Sequence, residues 1–298
     1  MEQLYIKNVP PKLKNFFSSY DLKKCFTCGT CASGCPITGM PEMHNLNVMK
    51  VLRMLVLGLV EEVAASDFPW MCTGCGRCKY GCPMDIDIPS IMATMKRLRP
   101  RDRIPWNTIE RGDRDSSFRP RLSDSLQDHI GDLGLELAEA ECPGFPMGTT
   151  LVYDYLIRLI KFGNIQLDRS VHKGKVFTFH DACKHGRVLE GYFGKGYYDE
   201  PRWIINRCVE KFVEMYPNRV NTHCCGAGGA LWSSGFEKQS AFLGRQKLNS
   251  IRNSKADVVV VGCSKCHYQL EKRLPGYYND CRYEVKYIWD VVLDSVAN

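Results

Sequence analysis

One spacing occurs twice in the first third of the chain: Cys25-x₂-Cys28-x₂-Cys31-x₃-Cys35-Pro36 and then Cys72-x₂-Cys75-x₂-Cys78-x₃-Cys82-Pro83. Two intervening residues let three successive sulfurs converge on one point, and the pattern is that of thiolates gathered around a cubane [4Fe–4S] core. Gly29, Gly34, Gly74, Gly76 and Gly81, with the two prolines, suit a tight backbone turned toward sulfur. Structural zinc takes four ligands, usually as two separated pairs, so two complete four-cysteine runs weigh against it.

The doubled run resembles two-cluster ferredoxins, in which the fourth thiolate of each cluster comes from the other run. On that resemblance Cys25, Cys28, Cys31 and Cys82 hold one cluster, and Cys72, Cys75, Cys78 and Cys35 hold the other. Between the runs, Leu46, Met49, Val51, Leu52, Leu55, Val56, Leu59 and Val63 form an apolar stripe, with Lys50, Arg53, Glu61 and Glu62 off it. This periodicity predicts a helix through much of 41–69, and a second helix follows over Pro89–Leu98 with proline in its first turn. The expectation is an α-helical ferredoxin-like domain over 1–99. The stripe is too short and too charged for a membrane span.

Sixteen cysteines in 298 residues, with no apolar signal core in the first twenty, read as metal ligands or reactive thiols of a cytoplasmic protein. The formal charge of +7 overstates the holo-protein, which two oxidised clusters and their thiolates bring to about +3. Lys23, Lys24, Arg77 and Lys79 flank the runs, where they offset cluster charge or dock an acidic redox partner. Arginines and prolines crowd the stretch after Arg97 (Arg99, Arg101, Arg103, Arg111, Arg114, Arg119 and Arg121, with Pro100, Pro105 and Pro120). Residues 100–173 read as a connector with short helices, at 123–139 and 150–162. No binding fold accompanies these charges, so a nucleic-acid role is excluded. Cys142, Cys208 and Cys281 lack motif partners and read as small buried apolar residues.

Residues 174–298 predict an α/β domain with a small parallel sheet. Lys175–Phe179 reads as a strand running into His180 and Cys183, and Arg219–Cys225 as a strand ending in the vicinal pair Cys224-Cys225. Asp257–Val261 reads as a buried strand leading to Cys263 and Cys266. Helices are expected over 201–215 and 236–253, and one further strand and helix over 283–296. The whole is therefore α+β. Sites in such sheets form beyond the carboxyl ends of the strands, where Cys183, Cys224, Cys225, Cys263 and Cys266 would meet. Gly226-x-Gly228-Gly229 lacks the layout of a dinucleotide fingerprint, so no flavin or nicotinamide of its own is expected.

The pattern Cys183…Cys224-Cys225-Gly226…Cys263-x₂-Cys266, in the stretches HDACKHGR, CCGAGGALW and ADVVVVGCSKC, resembles the CCG domain of heterodisulfide reductase-type iron–sulfur proteins. Relatives of that type include sulfite-reduction-linked, glycolate oxidase, glycerol-3-phosphate dehydrogenase and benzoyl-CoA reductase complex iron–sulfur subunits. The resemblance implies a noncubane [4Fe–4S] cluster on the five cysteines, with zinc as the alternative seen in some relatives. The family's active subunit carries two such motifs; this chain has one.

The implied role is an electron-transferring oxidoreductase subunit. It would take electrons from a flavoprotein partner through two cubanes to the five-cysteine centre, which acts on a thiol or disulfide or passes electrons on. His180, His185, His223 and His267, each near a ligand, are proton-donor candidates, and Lys184 and Lys265 offset cluster charge. The alternatives are a non-catalytic wiring module of a larger complex, for example of aromatic acyl-CoA reductase type, and a quinone-linked dehydrogenase subunit. The last would be peripheral to the membrane through its partners, since no anchor is evident.

Overall fold

The two cysteine runs fold alike. In each, a left-handed glycine (Gly29, φ 81°; Gly76, φ 74°) precedes a one-turn helix, Thr30–Ser33 or Arg77–Tyr80, and a second glycine (Gly34 or Gly81) ends it. A residue with a Cβ is strained at such a φ, so glycine is what lets the loop turn its sulfurs inward. The computed structural model describes residues 22–43, 46–98, 152–229, 231 and 235–297. Cys142, the arginine-rich stretch and the helix expected at 123–139 lie outside the described residues, as does the side chain of Lys23.

Every regular element described between Leu22 and Leu98 is helical. Helix α1 (Val48–Val56) starts on an Asn47 cap, whose Oδ1 accepts from the Lys50 amide at 3.0 Å, and buries Val48, Val51, Leu52 and Leu55. The single long helix expected from the apolar stripe is interrupted. Gly58 takes φ 83° after α1, and a separate helix α2 (Val60–Ala65) follows. The break turns Val60 and Val63 into the core while Val56, Leu57 and Leu59 stay exposed. Helix α3 (Ile88–Leu98) buries Ile88, Ile91, Met92 and Met95 against α2 and the turn Phe68–Met71. The expected second helix is thus present.

The C-terminal part is a three-layer α/β unit. Strands β1 (Val176–Phe179), β2 (Lys211–Phe212), β3 (Val258–Val261) and β4 (Glu284–Tyr287) form one sheet in the order β2-β1-β3-β4, with every pairing parallel. Alternate side chains of β3 serve opposite faces, as the pleat requires. Val258 and Val260 pack with Tyr153 and Leu156 of α4 (Val152–Lys161), Ile204 and Ile205 of α5 (Asp199–Cys208), and Val291 of α7 (Ile288–Asp294). Val259 and Val261 pack with Leu248 and Ile251 of α6 (Glu237–Ser254), and with Leu270 and Leu274. All four valines are fully buried, each contributing about 1.5–3 kcal/mol by its removal from water.

Two expected elements differ. The helix expected to reach Met215 stops at Cys208, because Val209 turns extended and the chain forms β2. The strand expected over Arg219–Cys225 is absent: Arg219–Asn221 is a single 3₁₀ turn with Arg219 at φ 50°, followed by irregular chain. The Arg187 guanidinium donates to the Val220 and Thr222 carbonyls and takes the place of a strand partner. Two strands therefore lead into cysteines, not three. Cys208 is a small buried core residue, as its sequence context suggested.

Candidate metal centres

The two halves meet at their cysteines. One small cavity is lined by Cys25, Cys28, Cys31 and Cys82. A second small cavity is lined by Cys35, Cys72, Cys75 and Cys78. Each cavity thus draws three sulfurs from one run and the fourth from the other. Electrostatics agrees with this grouping. Burial, then Cys25, pushes the Cys31 thiol up to about 11. Burial and then Cys75 raise the thiols of Cys35 and Cys78. Thiols that resist ionisation because they are buried, and then because their neighbours are also thiols, are suited to a cationic core between them.

The five C-terminal cysteines also converge. Cys263 follows β3 directly and caps the turn Ser264–Tyr268, accepting from the Cys266 amide at 3.4 Å. The Cys225 and Cys266 sulfurs are 3.3 Å apart, and Cys224 accepts from the Gly226 amide at 3.3 Å. Cys224 also contacts Cys183 and Cys225, and these neighbours raise its pKa. Cys224, Cys225, Cys263 and Cys266 are buried, and Cys183 is partly exposed. Amides aimed at sulfur stabilise thiolate ligands.

Cys224 reaches further, to the second run. It hydrogen-bonds the Cys75 thiol, which is held well below its usual pKa by that contact first, and its own sulfur lies 3.5 Å from Thr73 Oγ1. The backbone closes around this junction. Arg187 Nε donates to the Cys75 carbonyl at 3.0 Å, and Lys96 Nζ donates to the carbonyls of Cys72 at 2.9 Å and Gly229 at 3.2 Å. Arg245 donates to the Pro36 and Thr38 carbonyls. A wider cleft beside the junction, of about 430 Å³ and open to solvent, is lined by Lys79, Lys184, Arg187, Tyr80 and Tyr192 among others. Lys184 Nζ also donates to the Gly74 carbonyl at 3.4 Å. Sequence reasoning missed Arg187, Lys96 and Arg245, because nothing local marks a basic residue that will meet carbonyls far along the chain.

The four histidines divide. His185 Nδ1 is bonded to the Tyr153 hydroxyl at 2.9 Å, and His223 Nδ1 lies 3.1 Å from Ser250 Oγ. Burial, then Arg77, drives His223 down to about 4. His267 stacks on Tyr287 and faces Glu271 at 3.6 Å. His180 is different: it is fully buried, neither ring nitrogen has an oxygen or nitrogen partner, and it helps to lower the Cys225 pKa. It offers a ring nitrogen in a group with the Cys225 and Cys266 sulfurs, all within 4.8 Å of one another. An unpaired buried polar group costs about 1–3 kcal/mol, so this trio fits a bound metal better than an empty pocket. Lys265, one residue before Cys266, is shifted down by burial.

The site and fold together define a protein that joins a helical module carrying two crossed four-cysteine sets to an α/β module carrying a five-cysteine cluster. Residues 21–86 match the 4Fe–4S dicluster domain family and residues 177–271 match the cysteine-rich CCG domain family. The chain is similar to iron–sulfur subunits of heterodisulfide reductases. It is 39% identical, over 77 residues, to an iron–sulfur subunit of the CoB–CoM heterodisulfide reductase of Methanocaldococcus jannaschii, covering 26% of this chain and 39% of that protein. It is 26% identical over 126 residues to a dihydromethanophenazine:CoB–CoM heterodisulfide reductase subunit of Methanosarcina barkeri, covering 42% of this chain and 29% of that protein. A probable membrane-anchored ferredoxin of Chromohalobacter salexigens is 27% identical over 173 residues, covering 58% of this chain and 24% of that protein. The chain thus spans two fifths or less of these relatives' lengths. No solved structure matches it. Among the described residues, no helix is long and apolar enough to cross a membrane.

Proposed function

We propose that this chain is the electron-wiring subunit of a multisubunit oxidoreductase, carrying electrons from a flavoprotein partner to its C-terminal centre. The observation that carries the reading is the contact of Cys75 with Cys224, which sets the second cysteine cavity directly against the five-cysteine site. In this reading Cys25, Cys28, Cys31 and Cys82 hold the outer cubane, and Cys35, Cys72, Cys75 and Cys78 hold the inner one. Cys183, Cys224, Cys225, Cys263 and Cys266 hold a third, noncubane [4Fe–4S] centre. Such clusters supply one-electron transfer; the chain's own residues set their order and shield them from water.

Entry falls at the outer cavity, where Cys28 and Phe26 are exposed. Lys79, Lys184 and Lys96 lie along the route and balance the negative charge of the thiolates. Protons for a thiol or disulfide substrate would enter past His267, whose pairing with the half-exposed Glu271 gives it an outlet to solvent. Such a substrate would approach at Cys183, the one partly exposed cysteine of the five.

A second reading, in which the C-terminal centre only passes electrons onward within a larger complex, is favoured by the burial of its other four cysteines. Iron analysis and electron paramagnetic resonance on anaerobically prepared full-length protein test the first claim. About twelve irons per chain and three distinguishable centres are expected; a zinc-filled C-terminal site would remove the third step. Turnover of a disulfide or persulfide by the purified subunit separates the two readings.

A further inference from the structure

His180 stands where β1 ends, its backbone amide bonded to the Val260 carbonyl of the neighbouring strand at 2.9 Å. Two paired strands therefore fix the backbone from which its ring projects. The ring is fully buried, neither nitrogen has an oxygen or nitrogen partner, and the ring's contact with Cys225 helps to lower that thiol's pKa. The acid beside it is already committed: Asp181 takes Arg202 on both oxygens, at 2.7 and 3.0 Å, and also accepts from the Arg219 amide at 2.7 Å. What His180 does face is sulfur. One of its nitrogens and the sulfurs of Cys225 and Cys266 all lie within 4.8 Å of one another. A buried imidazole that meets sulfur and no oxygen or nitrogen partner has the chemistry of a ligand: neutral nitrogen is a good donor to iron and to zinc alike.

We infer that the His180 imidazole is a protein ligand of the C-terminal centre, bound beside the thiolates of Cys225 and Cys266. This rests on the reading that the five-cysteine site holds a metal centre, and it adds one nitrogen to a donor set otherwise made of sulfur. A neutral imidazole leaves the centre one charge less negative than a thiolate in the same place, so it raises the reduction potential. His185, His223 and His267 do not fill this role, because each has a partner of its own.

The test is pulsed electron paramagnetic resonance on the full chain, prepared without oxygen and compared with the same protein labelled with ¹⁵N-histidine. One strongly coupled nitrogen on the C-terminal centre is expected. It should change isotope on labelling, vanish in His180→Gln and persist in His223→Gln. Only weak nitrogen couplings in the parent protein, or a strong coupling that survives in His180→Gln, would overturn the inference. Should His180→Gln fail to assemble the centre, His180→Cys supplies a thiolate in place of the ring. Reassembly with the nitrogen coupling gone and a lower potential supports ligation, and an unchanged potential opposes it. If the site holds zinc, the iron–sulfur reading fails separately, and X-ray absorption at the zinc edge decides the ligand: one nitrogen scatterer that His180→Gln removes supports the inference, and an all-sulfur shell sinks it.

Discussion

Arg187, from the CCG part of the chain, donates its Nε to the backbone carbonyl of Cys75 at 3.0 Å, in the loop that lines the inner cysteine cavity. The same guanidinium bonds the Val220 and Thr222 carbonyls on the segment that leads to Cys224. One buried cation thus ties together the two loops whose cysteines touch. Replacing it with methionine leaves three carbonyls without a charged donor, a loss of about 3 kcal/mol in stability. The magnetic interaction between the inner cluster and the C-terminal centre should weaken in Arg187→Met. Unchanged stability together with an unchanged interaction would show that the junction does not depend on this residue.

The junction also depends on the absence of side chains. A Cβ on Gly229, which has φ 66°, would stand 2.1 Å from the Cys72 carbonyl oxygen, and one on Gly228 would stand 2.2 Å from that of Thr73. Backbone cannot yield as a flexible side chain does, so Gly229→Ala should cost about 3 kcal/mol. Amide exchange over residues 72–76 should quicken while the amides of β1 and β3 stay protected. Gly191→Ala, where the added carbon meets nothing within 4 Å, is the control and should be neutral or slightly stabilising. Equal effects at the two positions would refute the close approach.

The crossed ligand sets make a third expectation. Cys82 lines the outer cavity although it belongs to the second run, and Cys35 lines the inner cavity although it belongs to the first. Cys35→Ala should therefore lose the cluster that is magnetically coupled to the C-terminal centre. Cys82→Ala should lose the uncoupled outer one. Iron analysis should show a loss of about four irons in each variant, and spectra with the assignments exchanged would reverse the pairing.

Much of this was legible in the sequence, because cysteine spacing and strand composition are local signals. The doubled run, the five C-terminal cysteines, the buried Val258–Val261 strand and the α3 helix could all be read from short stretches. Gly58 could have warned that the stripe from Leu46 to Val63 was two helices, since glycine costs helix stability and a left-handed residue ends a helix. The segment around Val220 read as a strand because β-branched Val220 and Thr222 alternate just before a cysteine pair. Its true conformation depends on Arg187, which lies 33 residues away in sequence. Helix α4 read as part of a connector, yet Tyr153 and Leu156 join the core of the sheet. No local pattern could show that Cys75 and Cys224, or His180 and Cys266, would come together, because those contacts are made by tertiary packing alone.

Lys247 offers a test of electrostatics beside the C-terminal centre, since Cys225 and Cys266 act on it as well as Asp181. It is fully buried on α6, with its ammonium bonded to Thr222 Oγ1 at 2.7 Å and close to Met215 Sδ at 3.2 Å. Burial lowers its pKa to about 8 from an ordinary 10.5, with Asp181 opposing the shift. Between pH 8 and pH 10.5 the unfolded chain holds a proton that the folded chain has released, so stability rises with pH across that window. Below pH 8 both states are charged, and the folded protein carries the full penalty of about 3 kcal/mol. Lys247→Met removes the titrating group and fills the space with an apolar chain, so it should be more stable than the parent at pH 7 by about 2 kcal/mol. The difference should shrink as the pH rises from 8 toward 10.5. Denaturation midpoints for the two proteins, measured anaerobically at intervals of pH, check this directly. Profiles that run parallel through the window would mean that Lys247 keeps its proton at its ordinary pKa.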